Sequence, residues 1–119
     1  MDEQALKVRT RDFAIRIVRL FQALPKSTEA QIIGRQLLRS GTSVGANYRA
    51  ACRARSKAEF ISKIGIVVEE ADESVFWIDL LEATTILSAQ KLCGIAKEAE
   101  ELLAIFAASQ LTAKGLRRG

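Results

Sequence analysis

Four arginines lie on one side of a predicted helix in the first half of the chain. At 100° per residue, Arg35, Arg39, Arg49 and Arg53 fall within about 40° of a single line, opposite the apolar stripe of the helix. A guanidinium pairs with phosphate through two parallel hydrogen bonds, and an outward row of them suits a nucleic-acid backbone. The sequence therefore predicts a nucleic-acid-binding surface made of Arg35, Arg39, Arg49, Arg53, Arg55 and Lys57.

A second interpretation of the same arginines is structural. Residues 1–63 hold thirteen Lys and Arg against five Asp and Glu, whereas residues 64–113 hold two against nine. The arginines can therefore pair with Glu69, Glu70 and Glu73, within one chain or between copies. Aromatic residues make up only 6% of the chain. Since Tyr48 and Trp77 are assigned to packing, we expect no readout of stacked bases.

The sequence lacks the residues that most enzyme sites need. It contains no His, which excludes Ser-His-Asp and Cys-His catalysis and any imidazole acid or base. The Gly-containing run at 41–45 has no P-loop lysine. Carboxylates at 69–73 are a cluster of the kind that metal sites in bundles use, but such sites also use His, and Glu69 and Glu73 face away from the core. We expect no enzymatic activity, no metal and no cofactor.

Apolar residues at helical spacing predict four long helices, over about 7–24, 28–54, 57–83 and 89–111. Start signals are a capping box at Thr28–Gln31, another at Ser56–Glu59, and Ser88. Short loops between long helices favour an all-α, up-down-up-down antiparallel four-helix bundle, a single domain over 1–119 with a basic tail at 112–119. No signal peptide and no apolar run of about eighteen residues is present, so we expect a cytoplasmic protein without a membrane segment.

The third predicted helix is apolar on two sides. One side carries the core stripe, and a domain this small covers only one face of a helix with its own chain. The second apolar face therefore indicates contact with another copy, in a homo-oligomer. The predicted subunit interface consists of Ile66, Glu69, Glu73, Phe76, Trp77 and Leu80.

Two polar residues of the second predicted helix are assigned a structural role. Asn47 lies at the edge of the apolar stripe, and Ser43 and Ser40 are near it. Because half-buried polar groups need partners, we expect Asn47 to form a hydrogen bond across the bundle, in a network that Ser43 and Ser40 can join.

The segment GTSVGANYRAA at 41–51, followed by RARS at 53–56 and FI at 60–61, resembles the signature of a bacterial four-helix-bundle family. Members of that family were first met as products of intervening sequences in large-subunit ribosomal RNA genes, and are often labelled S23-type ribosomal proteins. The segments EEADE at 69–73 and FW at 76–77 extend the resemblance.

The resemblance implies a four-helix bundle that assembles as a homopentameric ring. A similar bundle occurs in the accessory protein of diversity-generating retroelements, which is thought to bind nucleic acid and a reverse transcriptase through basic surface. The family has no established enzymatic activity. Its commoner variant has Ile-Ala-Glu-Gly where this sequence has Tyr48-Arg49-Ala50-Ala51, so a role of that Glu does not transfer here.

These observations predict a non-enzymatic homo-oligomeric scaffold that binds nucleic acid, RNA before DNA, through an outward basic face. The alternative is a protein–protein adaptor in which the charges serve subunit assembly only and the open surface binds a partner protein.

Overall fold

The computed structural model describes residues 2–115, which form four α-helices and no strand. The helices are α1 (Glu3–Gln22), α2 (Thr28–Cys52), α3 (Lys57–Ala83) and α4 (Ala89–Ala113). The all-α, four-helix prediction is confirmed. Helix α1 begins four residues earlier than the expected start at 7, and α4 extends two residues past 111, into the expected tail. Of that tail, residues 116–119 lie outside the described residues.

Each helix begins at a polar side chain that caps its first turn. The carboxylate of Asp2 accepts a hydrogen bond from the Ala5 amide at 2.7 Å, which explains the early start of α1. Ser56 accepts from the Glu59 amide at 3.0 Å, and Ser27 and Ser88 act in the same way at α2 and α4.

The expected cap of α2 was wrong by one residue. Ser27 has extended backbone angles and accepts from the Ala30 amide, while Thr28 is already helical. The Gln31 side chain donates to the Pro25 carbonyl at 2.8 Å instead of reaching back to a capping amide. Two adjacent hydroxyl residues compete for the same position, and the backbone angles after Pro25 decide between them.

Small residues on α2 allow α1 to pack closely against it. A Cβ atom added at Gly41 would lie 2.8 Å from Ile17, and one added at Gly45 would lie 3.3 Å from Thr10. The residue numbers of these contacts decrease along α1 as they increase along α2, so the two helices are antiparallel. The break that an interior Gly could cause does not occur, since α2 is continuous through Gly41.

The core runs along the centre of the bundle. The five residues expected inside α4 are all buried, namely Leu92, Ile95, Ala99, Leu102 and Phe106. The rings of Tyr48 and Phe106 join α2 to α4 with their centroids 5.1 Å apart.

Helices α1 and α4 contact each other far less than the other neighbouring pairs do. An ion pair joins them, because the Arg9 guanidinium donates to both oxygens of Glu98 at 2.7 and 2.8 Å and to Glu101 at 3.1 Å. These bonds raise the pKa of Arg9, Glu98 contributing most. None of the helices within residues 2–115 combines the length and apolarity needed to cross a membrane.

Candidate nucleic-acid interface

The fold turns the charge asymmetry of the sequence into a spatial one. Helices α1 and α2 carry eight basic and three acidic residues, whereas α3 and α4 carry four basic and ten acidic residues. Since α1 and α2 are neighbours, as are α3 and α4, one side of the bundle is basic and the other is acidic.

Three of the four predicted arginines are exposed on the basic side. Arg35, Arg49 and Arg53 have no acidic partner within ion-pair distance among the described residues. Arg55 lies beyond the end of α2 and approaches Glu59 only to 3.9 Å, and the exposed Lys57 begins α3. The predicted surface is therefore open to an anionic ligand at Arg35, Arg49, Arg53 and Lys57, while Arg55 forms a long ion pair with Glu59.

Arg39 is different, because its guanidinium is bonded to α3. It donates to Glu73 at 2.5 Å and to Glu70 at 3.2 Å. The bond to Glu73, followed by the charges of both carboxylates, raises the pKa of Arg39, and the same bond lowers the pKa of Glu73. The structural interpretation thus describes Arg39, and its charge is already balanced within one chain.

The predicted subunit interface divides into an exposed part and a packed part. Ile66 and Phe76 are 36% and 54% exposed, and Glu69 is exposed beside them. Trp77 packs on the core, lies edge-on to Phe76 with the ring centroids 4.9 Å apart, and donates to Glu73 at 3.2 Å. Leu80 is half-buried.

The hydrogen bonds of Ser43 and Asn47 differ from the expectation. The Asn47 amide donates to the Ser43 carbonyl at 2.9 Å, and the Ser43 hydroxyl to the Arg39 carbonyl at 2.7 Å, both within α2. Short polar side chains reach the carbonyl of the preceding turn more easily than a neighbouring helix. The polar contact across the bundle is made instead by the buried hydroxyls of Ser40 and Ser74, 2.9 Å apart.

Comparison with known proteins identifies the family. The family model of the 23S rRNA-intervening sequence protein matches residues 3–108. The chain belongs to this family. It is also similar to a solved protein of unknown function from the S23 ribosomal protein family of Bacteroides thetaiotaomicron. That protein is 34% identical, the alignment covers 92% of this chain and 98% of the other, and the TM-score is 0.85. Among curated proteins no match is found.

The resemblance that residues 41–51 carry is thereby confirmed. In this member of the 23S rRNA-intervening sequence protein family, the segment forms the middle and end of α2, where its two glycines face α1 and Tyr48 enters the core. The motif thus holds α1 against α2 and leaves Arg49 on the outer surface.

Sequence reasoning missed the part of the basic surface that α1 contributes. Lys7 and Arg11 line a groove of about 500 Å³ between α1 and α2, and Arg49 lines the same groove from α2. The signal was present in the excess of arginine in the first helix. It was not used because the partner face of a helix cannot be known before the packing order is known.

Within residues 2–115, no group of three or more acidic or sulfur-containing side chains is arranged to hold a metal ion. Cys93 is exposed and Cys52 is half-buried, and burial raises the pKa of the Cys52 thiol. The arrangement on the basic side can bind anions by charge and by hydrogen bonds from guanidinium groups.

Proposed function

We propose that the protein is a homo-oligomeric scaffold that binds RNA through the basic side of the bundle. The observation that carries the proposal is that Arg35 and Arg49 on α2, and Arg53 directly after its end, are exposed and have no acidic partner in the ion pairs of the described residues. Surface cations of monomeric helical proteins are commonly interspersed with acids, whereas α2 has a single Glu, in its first turn. The family description refers to an intervening sequence of 23S rRNA and names no ligand, so the choice of RNA before DNA is part of the proposal.

The expected mode of binding is recognition of the phosphate backbone. Among residues 2–115 the exposed aromatic side chain is Phe76 on α3, so bases have no stacking partner beside the arginines of α2. Affinity then comes from counterion release and falls steeply with salt, and it depends little on base sequence.

The test compares two double charge reversals of equal size. Arg35→Glu with Arg53→Glu removes two open cations of α2, and Arg16→Glu with Lys91→Glu removes two exposed cations on the α1–α4 side. Fluorescence anisotropy with a labelled single-stranded RNA gives Kd at several salt concentrations, and circular dichroism checks the fold. We expect at least about a tenfold loss for the first variant and a smaller change for the second, since a charge-assisted bond contributes about 1.5–3 kcal/mol. Equal affinities of both variants and the parent protein would contradict the proposal.

We propose further that copies associate through the outer face of α3, as the ring that the resemblance implies. The support is the exposure of Ile66 and Phe76 next to the packed Trp77, since exposed aromatic side chains are enriched at contact surfaces. Light scattering is expected to give a multiple of the 13.1 kDa protomer mass, five for a pentamer. The variant Phe76→Glu should lower the mass, with Val8→Glu on α1 as a matched control at a similarly exposed apolar residue. A monomer mass for the parent protein at micromolar concentration would exclude the assembly.

A protein–protein adaptor is the second candidate, and the acidic side favours it. Phe76 borders a cleft of about 420 Å³ between α3 and α4 that four carboxylates line, Asp72, Asp79, Glu82 and Glu100. Such a cleft repels RNA and suits a basic segment of a partner protein. Recovery of partners from native lysate with and without nuclease separates the two candidates. A single protein partner that survives nuclease treatment favours the adaptor, and its loss with nuclease favours the RNA scaffold.

A further inference from the structure

A groove between α1 and α2 is lined by positively charged side chains from both helices. Lys7 and Arg11 stand one turn apart on α1, and Arg49 stands on the facing edge of α2. Because the helices are antiparallel, with Thr10 opposite Gly45, Arg49 comes level with Lys7, one turn above Arg11. Within residues 2–115, no carboxylate lines the groove.

The floor of the groove is made of small residues. Ala14, Gly45 and Ala46 line it, and the close approach of Gly45 to Thr10 leaves no room there for a larger side chain. The helices are therefore in contact beneath the groove, and a ligand group lies on this floor, within reach of the long cationic side chains of both walls. Thr10 and Thr42 donate their hydroxyls to carbonyls of their own helices, so the donors that face the groove are the charged groups and the side-chain amide of Gln4.

The charge in this groove is largely uncompensated. Arg11 and Arg49 have no acidic partner among residues 2–115, and Lys7 has the exposed Glu3 at 3.5 Å. Like charges that face one another across a groove repel, and an anion between them removes that repulsion and gains two sets of charge-assisted hydrogen bonds. A planar guanidinium on each wall suits the bidentate geometry of phosphate.

We infer that this groove holds the phosphodiester backbone of a single-stranded RNA, with Arg11 and Arg49 bonded to phosphate from opposite sides. The inference rests on the proposed function and extends it. The RNA site then includes a binding surface on α1 in addition to the outer arginines of α2. Arg11 and Lys7, which lie outside the sequence motif, belong to this surface.

The first test removes charge. Arg11→Glu with Arg49→Glu is compared with Arg16→Glu with Lys91→Glu, which lies in the groove between α1 and α4. We expect a loss of at least about tenfold in RNA affinity for the groove variant beyond that of the control. The slope of log Kd against log salt should also fall by about 1.4, because two phosphate contacts of a single strand are lost.

The second test fills the groove without changing charge. Ala46 is exposed on the groove floor, and Ala46→Met adds bulk in an exposed helical position where folding is not at risk. Ala104→Met on α4 is the matched control, since Ala104 is also exposed and helical. We expect weaker RNA binding for Ala46→Met alone, with an unchanged molecular mass by light scattering.

The outcomes separate this inference from the proposed function. If the parent protein binds no RNA, both are wrong. If Arg35→Glu with Arg53→Glu abolishes binding while both groove variants bind like the parent protein, the proposed function stands and the groove is excluded. A groove variant that changes mass but not affinity shows a contact between copies, which also overturns the inference.

Discussion

Replacement of Gly41 by alanine tests the close packing of α1 on α2. Gly41 is buried in the middle of α2, and the added Cβ would lie 2.8 Å from Cγ1 and 3.0 Å from Cγ2 of Ile17. Ile17 is fully buried and branched at Cβ, so it has no second rotamer that moves both atoms away. Either the helices separate or the side chain is strained.

Two opposing terms set the magnitude. Alanine is favoured over glycine in a helix interior by about 1 kcal/mol. Overpacking of a filled core costs about 1–3 kcal/mol. We therefore expect Gly41→Ala to lower the free energy of unfolding by up to about 2 kcal/mol, a decrease of several degrees in Tm for a chain of this length.

Gly65 and Gly94 are matched controls in α3 and α4. A Cβ at Gly65 would meet the amide nitrogen of the Gln110 side chain at 3.0 Å, and one at Gly94 would meet a guanidinium nitrogen of Arg16 at 3.2 Å. Both neighbours are the ends of long flexible side chains that can move aside. The helix-propensity gain should therefore remain, so that Gly94→Ala and Gly65→Ala raise stability by up to about 1 kcal/mol.

Urea unfolding followed by circular dichroism, at one protomer concentration, gives the three values. The concentration is fixed because association changes apparent stability by mass action. If Gly41→Ala proves as stabilising as Gly94→Ala, the close approach of α1 to α2 described above is not present in solution, and the argument from contact distances fails.

Three further predictions concern single sites. Because Arg39 lowers the pKa of Glu73 below its ordinary 4.5, the unfolded state binds protons more readily. The stability from this pair is present above pH 4.5 and is lost as the pH falls through the folded pKa of Glu73. The free energy of unfolding, measured with urea, should therefore decrease less at acid pH in Arg39→Met than in the parent protein. Iodoacetamide at about pH 8 should alkylate the exposed Cys93 before Cys52, as mass spectrometry can show, because burial raises the pKa of the Cys52 thiol. Ser56→Ala should lower stability by about 1 kcal/mol and Ser56→Thr by less, since only alanine loses the cap of α3.

Much of the fold could be predicted because it follows from local periodicity. The stripe of α4 was identified residue by residue, and α3 spans Lys57–Ala83, the expected 57–83. Each of these features depends on a spacing of three or four residues and on a capping hydroxyl, which the sequence displays directly. Helix starts were harder where two capping residues were adjacent, as at Ser27 and Thr28.

The pairings between helices could not be predicted in the same way. A helical projection placed Arg39 among the outward arginines and Glu73 on a subunit contact. Such a projection gives the angle of a residue about the axis of its own helix, and it contains no information about the helix packed beside it. The rotation of α2 against α3 brings the two side chains within bonding distance of each other. The prediction for Asn47 was wrong for a related reason, since its own helix offers a nearer hydrogen-bond acceptor than the neighbouring helices do.

The Arg39 network also decides how the remaining charges are divided. Arg39 is paired with Glu70 and Glu73 along the seam between α2 and α3, so its positive charge is fully compensated there. Arg11, Arg35, Arg49 and Arg53 then remain open on one side of that seam, and the carboxylates around Phe76 remain open on the other. A polyanion that binds the first side is repelled from the second, so RNA binding and self-association through the α3 face need not compete for one surface. The two sides of the protomer therefore carry opposite charge. Reversal of the carboxylates around Phe76 should leave RNA affinity unchanged or increase it.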